Sequence, residues 1–348
     1  MHRLGRQRGD AANARRGRSR APPGARELDR VTPITRNNNF FKHLAWGLCC
    51  AWLALGQWLA YGYPVLAGYA LEAAPRLALG DDGHETKIQQ AAQRIISLAP
   101  HLTELVYAAG AGEKLIAVSA YSDFPAAARL LPQVGDASNL DLERIAMLKP
   151  DLVLAWKSNI SPFAIERLRR LSIPVYVTET RRLVGIPALL KSIGTLAGTS
   201  TVSELAANNF DDRLRQLRLS ARGKTIVPTF IEIWRDPLLS VNAAHMMSEV
   251  VSLCGGKNIL AEAPILTPSI GLETLLDADP GAIIGGGSAA TAEDFRRVWK
   301  KHPGLHAVKR GNIFYVNPDW IQRATPRILL GAKVICDGLE QARMSLLK

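Results

Sequence analysis

The pattern of apolar and polar positions changes twice along the chain. A basic amino-terminal segment is followed by an uncharged stretch at residues 44–70. From residue 94 onwards, short all-apolar runs such as LVLA at 152–155 alternate with longer segments of helical periodicity. A short all-apolar run is typical of a strand that is covered on both faces. Alternation of such strands with helices predicts mostly parallel sheets with helices packed on both sides.

This alternation is interrupted once, at residues 183–221, where a helical pattern runs for nearly forty residues and Gly194 and Gly198 should kink or interrupt it. The sequence therefore predicts an α/β protein in which two Rossmann-like lobes with mostly parallel sheets are joined by a long backbone α-helix. The predicted segments are a basic disordered tail (1–43), a signal or anchor segment (44–70), a linker (71–92), an N-terminal α/β lobe (93–182), the connecting helix (183–221) and a C-terminal α/β lobe (222–348).

The two predicted lobes share one sequence pattern. The segments LERIAMLKPDLVL at 142–154 and LETLLDADPGAII at 272–284 both begin with Leu-Glu and place a proline seven positions after the glutamate, just before an apolar strand. Glu143 and Glu273 thus hold matching places in the first turn of a helix, where a carboxylate interacts favourably with the helix dipole. A symmetric pair of acidic side chains could also dock a two-fold partner that carries arginines.

The net charge of +12 suggests a nucleic-acid partner only until the charges are located. Residues 1–42 contain eleven lysines and arginines and three acidic residues, whereas the rest of the chain has 32 basic and 28 acidic residues. The folded part is near charge balance, so we expect no nucleic-acid partner. A basic segment before an apolar one is the layout of a secretory signal or an amino-terminal membrane anchor, which predicts that the remainder is exported.

Cys254 and Cys336 are the only cysteines beyond residue 50. In an exported domain, two cysteines favour one disulfide, although two buried free thiols would also fit the sequence.

The sequence lacks the common catalytic motifs. There is no GxSxG, no phosphate-binding loop and no Cys-x-x-Cys, and no two histidines have the spacing of a metal pair on one helix. His101 follows a predicted strand and could face a cleft, but we expect a solvated residue at a helix start. These observations predict a binding protein with no catalytic residues, no metal site and no cofactor. An enzyme on a doubly wound fold, such as a nucleotide-using transferase, is disfavoured because the phosphate loop is missing.

Four predicted strands end in an aromatic residue, two in each lobe: Tyr121, Trp156, Trp234 and Trp320, the last preceded by Asp319. The carboxyl ends of parallel strands are where such sheets bind ligands. If the lobes face each other, these residues line the cleft between them, and aromatic walls with a few polar groups suit a large, partly flat ligand. Each aromatic could instead pack under its own loop.

Several motifs resemble the periplasmic vitamin B12 (cobalamin)-binding proteins of ABC importers, which are class III substrate-binding proteins. The motifs are RIISLAPHLTELVYAAG, VSAYSDFP, LERIAMLKPDLVLAW, CGGKNIL and VNPDWIQRATPRILL, and they span residues 94–343. The resemblance implies a monomeric periplasmic receptor, tethered to the inner membrane if residues 44–70 are not cleaved. Such a receptor holds cobalamin or another corrinoid between its lobes and delivers it to an ABC permease and ATPase complex.

The resemblance also implies roles for individual residues. Tyr121, Trp156 and Asp319 stand where the family contacts the corrin, Glu143 and Glu273 where it docks on arginines of the permease, and Cys254 and Cys336 where it has a disulfide. Trp234 can take the place of a phenylalanine contact. Ala137 and Thr267 replace further cleft tryptophans of the family, so an iron-siderophore or haem receptor of the same architecture stays open as the alternative.

Overall fold

The computed structural model describes residues 74–287 and 289–346. The predicted tail (1–43) and the predicted signal or anchor segment (44–70) lie outside these residues. Among the residues described, no helix combines the length and the apolar character needed to cross a lipid bilayer.

Part of the predicted linker forms an antiparallel hairpin instead. Strands β1 (Arg76–Leu79) and β2 (Glu85–Ile88) pair along their full length. The linker prediction for residues 71–92 is therefore wrong for these two strands. Their short, half-polar sequences carry little local signal, and tertiary contacts hold them. Ala78 and Ile88 are buried in the core, and the Thr86 hydroxyl donates a hydrogen bond of 3.0 Å to the Val175 carbonyl.

The N-terminal lobe is built on a four-stranded parallel sheet whose order is β4-β3-β5-β6. Its strands and helices are β3 (Ile95–Ser97), α1 (Pro100–Ala108), β4 (Leu115–Val118), α2 (Leu142–Met147), β5 (Leu152–Trp156), α3 (Pro162–Arg170) and β6 (Val175–Thr178). The apolar run Leu152–Ala155 is fully buried, because helices cover both faces of the sheet as the sequence pattern predicts.

The helical stretch after this lobe forms two helices. Helix α4 (Gly185–Ala197) ends at Gly198, whose left-handed φ of 71° terminates the helix at little steric cost. Helix α5 (Ser200–Ala221) follows and is about 33 Å long for its 22 residues. It packs against α1 and against the helices Met246–Leu253 and Ile328–Leu346 of the C-terminal lobe, so α5 joins the lobes.

The C-terminal lobe repeats the topology of the first. Its elements are β7 (Val227–Glu232), α6 (Met246–Leu253), β8 (Gly256–Asn258), α7 (Leu272–Ala278), β9 (Ala282–Gly285), α8 (Ala292–Trp299), α9 (His306–Lys309), β10 (Ile313–Tyr315), α10 (Pro318–Ile321) and α11 (Ile328–Leu346). The parallel sheet has the order β8-β7-β9-β10, which matches β4-β3-β5-β6 strand for strand. The predicted fold class, two parallel α/β lobes joined by a helix, is confirmed.

The sequence repeat corresponds to a repeated backbone conformation. Lys149 and Asp279 follow α2 and α7, and both have positive φ, 46° and 36°, directly before the matching prolines Pro150 and Pro280. Few residues other than glycine adopt this conformation, so its occurrence at both equivalent positions supports structural repetition of the lobes.

Cys254 and Cys336 form the predicted disulfide. It connects the end of α6 to the middle of α11 across a sequence separation of 82 residues. The alternative of two free thiols is thereby excluded.

Candidate ligand-binding site

The predicted aromatic residues lie at or just beyond the carboxyl ends of the strands, with corrections to the strand bounds. Trp156 is the last residue of β5. Strands β4 and β7 end at Val118 and Glu232, so Tyr121 and Trp234 lie in the loops that follow.

Asp319 and Trp320 lie on a short helix, not at the end of a strand as predicted. Pro318 begins α10, and the side chain of Asn317 caps it by accepting a hydrogen bond of 2.9 Å from the Asp319 amide. Proline in the first helical position and an Asn cap favour a helix start, and this local signal ends the strand at Tyr315.

Trp156 packs against a buried histidine of the same lobe. The ring centroids of His101 and Trp156 are 5.1 Å apart in an edge-to-face arrangement. His101 is only 8% exposed, so the expectation of a solvated helix-start residue is wrong. Burial is the main cause that lowers the pKa of His101, the positive charge of Arg323 adds to the shift and Glu179 opposes it, and the resulting pKa is about 4. The imidazole is therefore neutral at physiological pH.

The low pKa of His101 makes folding depend on pH. The native pKa of about 4 lies below the ordinary value of 6.5, so the unfolded chain binds a proton in a range where the native protein does not. The stability contributed by the neutral ring is complete above pH 6.5 and is lost as pH falls towards 4. Between pH 7 and pH 5 we expect a loss of about 2 kcal/mol from this group, measured by urea unfolding at both pH values.

The variant His101→Leu should lack this part of the pH dependence, whereas His84→Leu, which removes an exposed histidine, should retain it. Equal pH dependence in wild type and His101→Leu would contradict the assignment.

A cluster of charged side chains connects the two lobes. We call it the interlobe ion cluster; it consists of Glu104, Asp123, Asp319, Arg323 and Arg327. The Nη1 of Arg323 donates to Glu104 Oε1 at 2.9 Å and to Asp123 Oδ1 at 2.8 Å, and its Nη2 is 2.9 Å from Asp319 Oδ1. The arginines belong to the C-terminal lobe, whereas Glu104 and Asp123 belong to the N-terminal lobe.

The cluster favours the charged forms of Asp123 and Arg323. Burial favours the neutral form of Asp123, but the hydrogen bond and charge of Arg323 outweigh it, so the pKa of Asp123 lies below its ordinary value. For Arg323, burial acts against the charged form, and the hydrogen bonds to Asp123 and Glu104 reverse this effect and raise its pKa. A guanidinium fixed by carboxylates is thus maintained between the lobes.

Tyr121 and Trp234 are both exposed. Tyr121 is close to the interlobe ion cluster in sequence, and the loop of Trp234 is hydrogen-bonded to a residue beside it. Tyr121 is 75% exposed, has a positive φ of 64° and comes two residues before Asp123. Trp234 is 48% exposed, and its indole N–H donates to the Asp236 carbonyl at 3.0 Å. The Gln322 side-chain amide, beside Arg323, donates to the carbonyl of Ile233 at 3.4 Å, which brings the Trp234 loop to the segment after α10.

The loop of Trp234 begins at a buried acid, which holds its first residues in place. Glu232 ends β7 and is 1% exposed, and burial raises its pKa despite the nearby Arg235 and a hydrogen bond from Trp299. That bond, from the Trp299 indole N–H, is 2.7 Å long. Because the acid is bonded and the loop starts immediately after it, the base of the loop is fixed.

The contacts therefore bring most of the predicted ligand residues into one neighbourhood. Arg323 contacts Asp319 and the loop of Tyr121. Trp156 packs against His101, whose pKa is lowered in part by the charge of Arg323. Trp320 is half-buried, and its backbone carbonyl and Cβ lie against Gly331 of α11. Glu143 and Glu273 are exposed on α2 and α7 and take no part in these contacts.

Sequence analysis missed Glu104, Arg323 and Arg327. A signal for them exists: Glu104 is an acid among the buried residues of HLTELV, and the two arginines are spaced i, i+4 after the aromatic segment. An acid on a buried helix face requires a cationic partner, but sequence alone does not say which cation supplies it.

Comparison with known proteins gives consistent similarities. The family model described as periplasmic binding protein matches residues 95–320. A vitamin B12-binding protein from Pectobacterium carotovorum is 39% identical over 249 residues, which cover 71% of this chain and 88% of the relative. The crystal structure of the periplasmic vitamin B12-binding protein BtuF of Vibrio cholerae has a TM-score of 0.66 at 35% identity and covers 72% of this chain and 98% of that chain.

A periplasmic heme-binding protein, RhuT from Roseiflexus sp. RS-1, has a TM-score of 0.63 at 20% identity and covers 73% of this chain and 99% of that one. At this identity the likeness shows a shared fold only. The match of the family model over most of the chain, together with the 39% identical relative, shows that this chain belongs to the periplasmic binding protein family.

Proposed function

We propose that the protein captures cobalamin or a related corrinoid between its lobes and delivers it to an ABC permease and ATPase complex in the inner membrane. The observation that carries the proposal is the convergence of charged side chains from both lobes on Arg323, in the segments that also carry Tyr121 and Trp320. Relatives that are 39% and 35% identical to this chain are named vitamin B12-binding proteins, which supports a corrinoid over haem.

Within this cleft the predicted residues divide into two kinds. Tyr121, Trp156 and Trp234 supply apolar area and flat faces for a large ring system. Asp319, which is fixed by Arg323, has a second carboxylate oxygen that can accept a hydrogen bond from an amide of the ligand. Trp320 completes the apolar wall on the side of α11. Ala137 and Thr267 are exposed, and because they are small they leave more room in the cleft than tryptophans would.

Docking on the permease would use Glu143 and Glu273. They lie at equivalent positions of the repeated lobes, each in the first turn of an exposed helix. Glu143 also borders an open surface hollow of about 590 Å³ that Asn139, Arg144 and Arg167 help to line. One carboxylate per lobe at equivalent positions suits a partner that presents arginines in matched positions.

The proposed function requires the lobes to act in the periplasm, as those of the relatives named periplasmic do. We propose a monomeric receptor without catalytic activity and without a resident cofactor, in which the corrinoid is cargo. A membrane tether would depend on residues 44–70.

The variant Trp156→Ala tests the site. We expect at least about a tenfold loss of cyanocobalamin affinity, because removing the indole gives up more than about 1.4 kcal/mol of apolar contact. Titration calorimetry measures the affinity, and thermal melting checks that the variant is folded. Phe163→Ala removes an aromatic that is 69% exposed on α3 and serves as the matched control. Unchanged affinity in Trp156→Ala would remove Trp156 from the site, and wild-type binding of hemin but not cyanocobalamin would support the haem receptor instead.

A further inference from the structure

We propose that Glu104 is a positioning residue for ligand capture: its buried carboxylate holds Arg323 and Arg327 across the two lobes and thereby fixes the cleft before the ligand arrives. The inference rests on the proposed binding function, but the contacts that carry it are present in the protein alone.

Glu104 lies on α1 and is 4% exposed. Among the residues that the structure describes, its side-chain partners all come from the other lobe: Arg323 donates to Oε1, and Arg327 donates to Oε2 from Nε at 2.8 Å and to Oε1 from Nη2. The two bonds from Arg327 form a bidentate pair, which restricts orientation as well as distance. Because a buried carboxylate requires such partners, separating the lobes here would leave Glu104 unpaired at a high cost.

Arg327 serves this contact between lobes. Its guanidinium carbon lies 3.9 Å from the centre of the Phe124 ring, so the group is held between Phe124 and Glu104, both of the N-terminal lobe. A guanidinium above an aromatic ring is favourable in itself. Arg327 immediately precedes α11, so this contact restrains the start of that helix and the segment between α10 and α11.

Arg323 transmits the restraint to the proposed ligand residues. Its Nη1 is shared between Glu104 and Asp123, and its Nη2 contacts Asp319. The plane of the guanidinium is therefore set from the N-terminal lobe, and that plane determines where the Asp319 carboxylate lies. A site whose groups are fixed in advance loses less conformational entropy when the ligand binds.

The variant Glu104→Gln keeps the size of the side chain but removes its charge and one acceptor. The competent arrangement of the cleft should become a minor state, and the association rate for cyanocobalamin should fall in proportion to its population. We expect at least about a tenfold fall in the association rate, with a smaller change in the dissociation rate. Stopped-flow measurement of both rates separates this effect from a loss of direct ligand contacts.

Hydrogen–deuterium exchange of the ligand-free protein gives a readout that does not depend on the ligand. In Glu104→Gln, backbone amides in residues 119–124 and 319–328 should exchange faster in the same sample. Glu104 holds Arg323 and Arg327 of the second segment, and these arginines contact Asp123 and Phe124 of the first. If wild-type protein bound no corrinoid, the proposed function would fail, yet the exchange result would still decide whether Glu104 restrains both lobes.

Glu249→Gln is the matched control. Glu249 on α6 accepts hydrogen bonds from Arg182 Nε at 3.1 Å and from the Leu183 amide at 2.9 Å, and shares no partner with the interlobe ion cluster. This variant should keep wild-type association rates and wild-type exchange in both segments. If Glu104→Gln does not fold, Arg327→Gln removes the same bidentate contact and should give the same two changes. Wild-type rates and exchange in a folded Glu104→Gln or Arg327→Gln protein, or equal effects in the control, would overturn the proposal.

Discussion

Changing Glu143 and Glu273 together to alanine should abolish corrinoid uptake by cells that depend on this receptor, while the purified protein keeps its affinity for the ligand. Both carboxylates are exposed and lie outside the contacts of the candidate site, so their removal should leave the cleft intact. Truncating one partner of an interfacial arginine–carboxylate pair costs about 2 kcal/mol or more. Loss of both should weaken docking by on the order of a thousandfold.

Uptake of radiolabelled cyanocobalamin, together with calorimetric titration of the purified variant, checks both halves of this prediction. The double variant Glu113→Ala and Glu293→Ala removes one exposed acid from each lobe outside α2 and α7, and it should transport normally. Single variants should show intermediate uptake, since each of them loses one docking contact and retains the other. Normal uptake in the Glu143 and Glu273 double variant would eliminate these residues as the docking contacts.

Removing the disulfide should lower the free energy of unfolding by about 4 kcal/mol. Cys254 and Cys336 close a loop with a sequence separation of 82 residues, and in the chain-entropy account a crosslink of this span restricts the unfolded chain by about that amount. The double variant Cys254→Ala and Cys336→Ala, measured by urea unfolding, gives the value directly.

Wild-type protein unfolded in the presence of dithiothreitol should approach the stability of this double variant, and the variant itself should not respond to the reductant. Because α6 and α11 pack against each other as well, the native C-terminal lobe should remain folded without the bond at room temperature. A difference in unfolding free energy below about 1 kcal/mol would mean that the unfolded chain is already compact around this loop.

Sequence predicted those parts of the fold that local patterns specify. The buried run before Trp156 and the repeated Leu-Glu and proline positions that frame α2 and α7 all carry signals within a dozen residues. The disulfide was predicted because the part of the chain expected to be exported contains two cysteines. The hairpin β1–β2 and strand β8 were missed, because strands of three or four half-polar residues are held by tertiary contacts that no short window contains.

The candidate site was predictable in composition but not in arrangement. Trp156, Tyr121 and Asp319 could be chosen because residues after parallel strands form binding edges. The pairing of Glu104 with Arg323 and Arg327 joins positions more than two hundred residues apart, and nothing local specifies it. The burial of His101 was not predicted for a related reason: Trp156, which packs against it, comes from β5, more than fifty residues further along the chain.

The chain passes from one lobe to the other once, along α5. A genetic exchange with a relative inside that helix would therefore produce a chimaera in which the sheet of each lobe is complete. Such a hybrid would nevertheless receive Glu104 from one parent and the arginines that neutralise it from the other. Lobes of this receptor can therefore recombine only between relatives that both have the acid in the N-terminal lobe and the arginines in the C-terminal lobe.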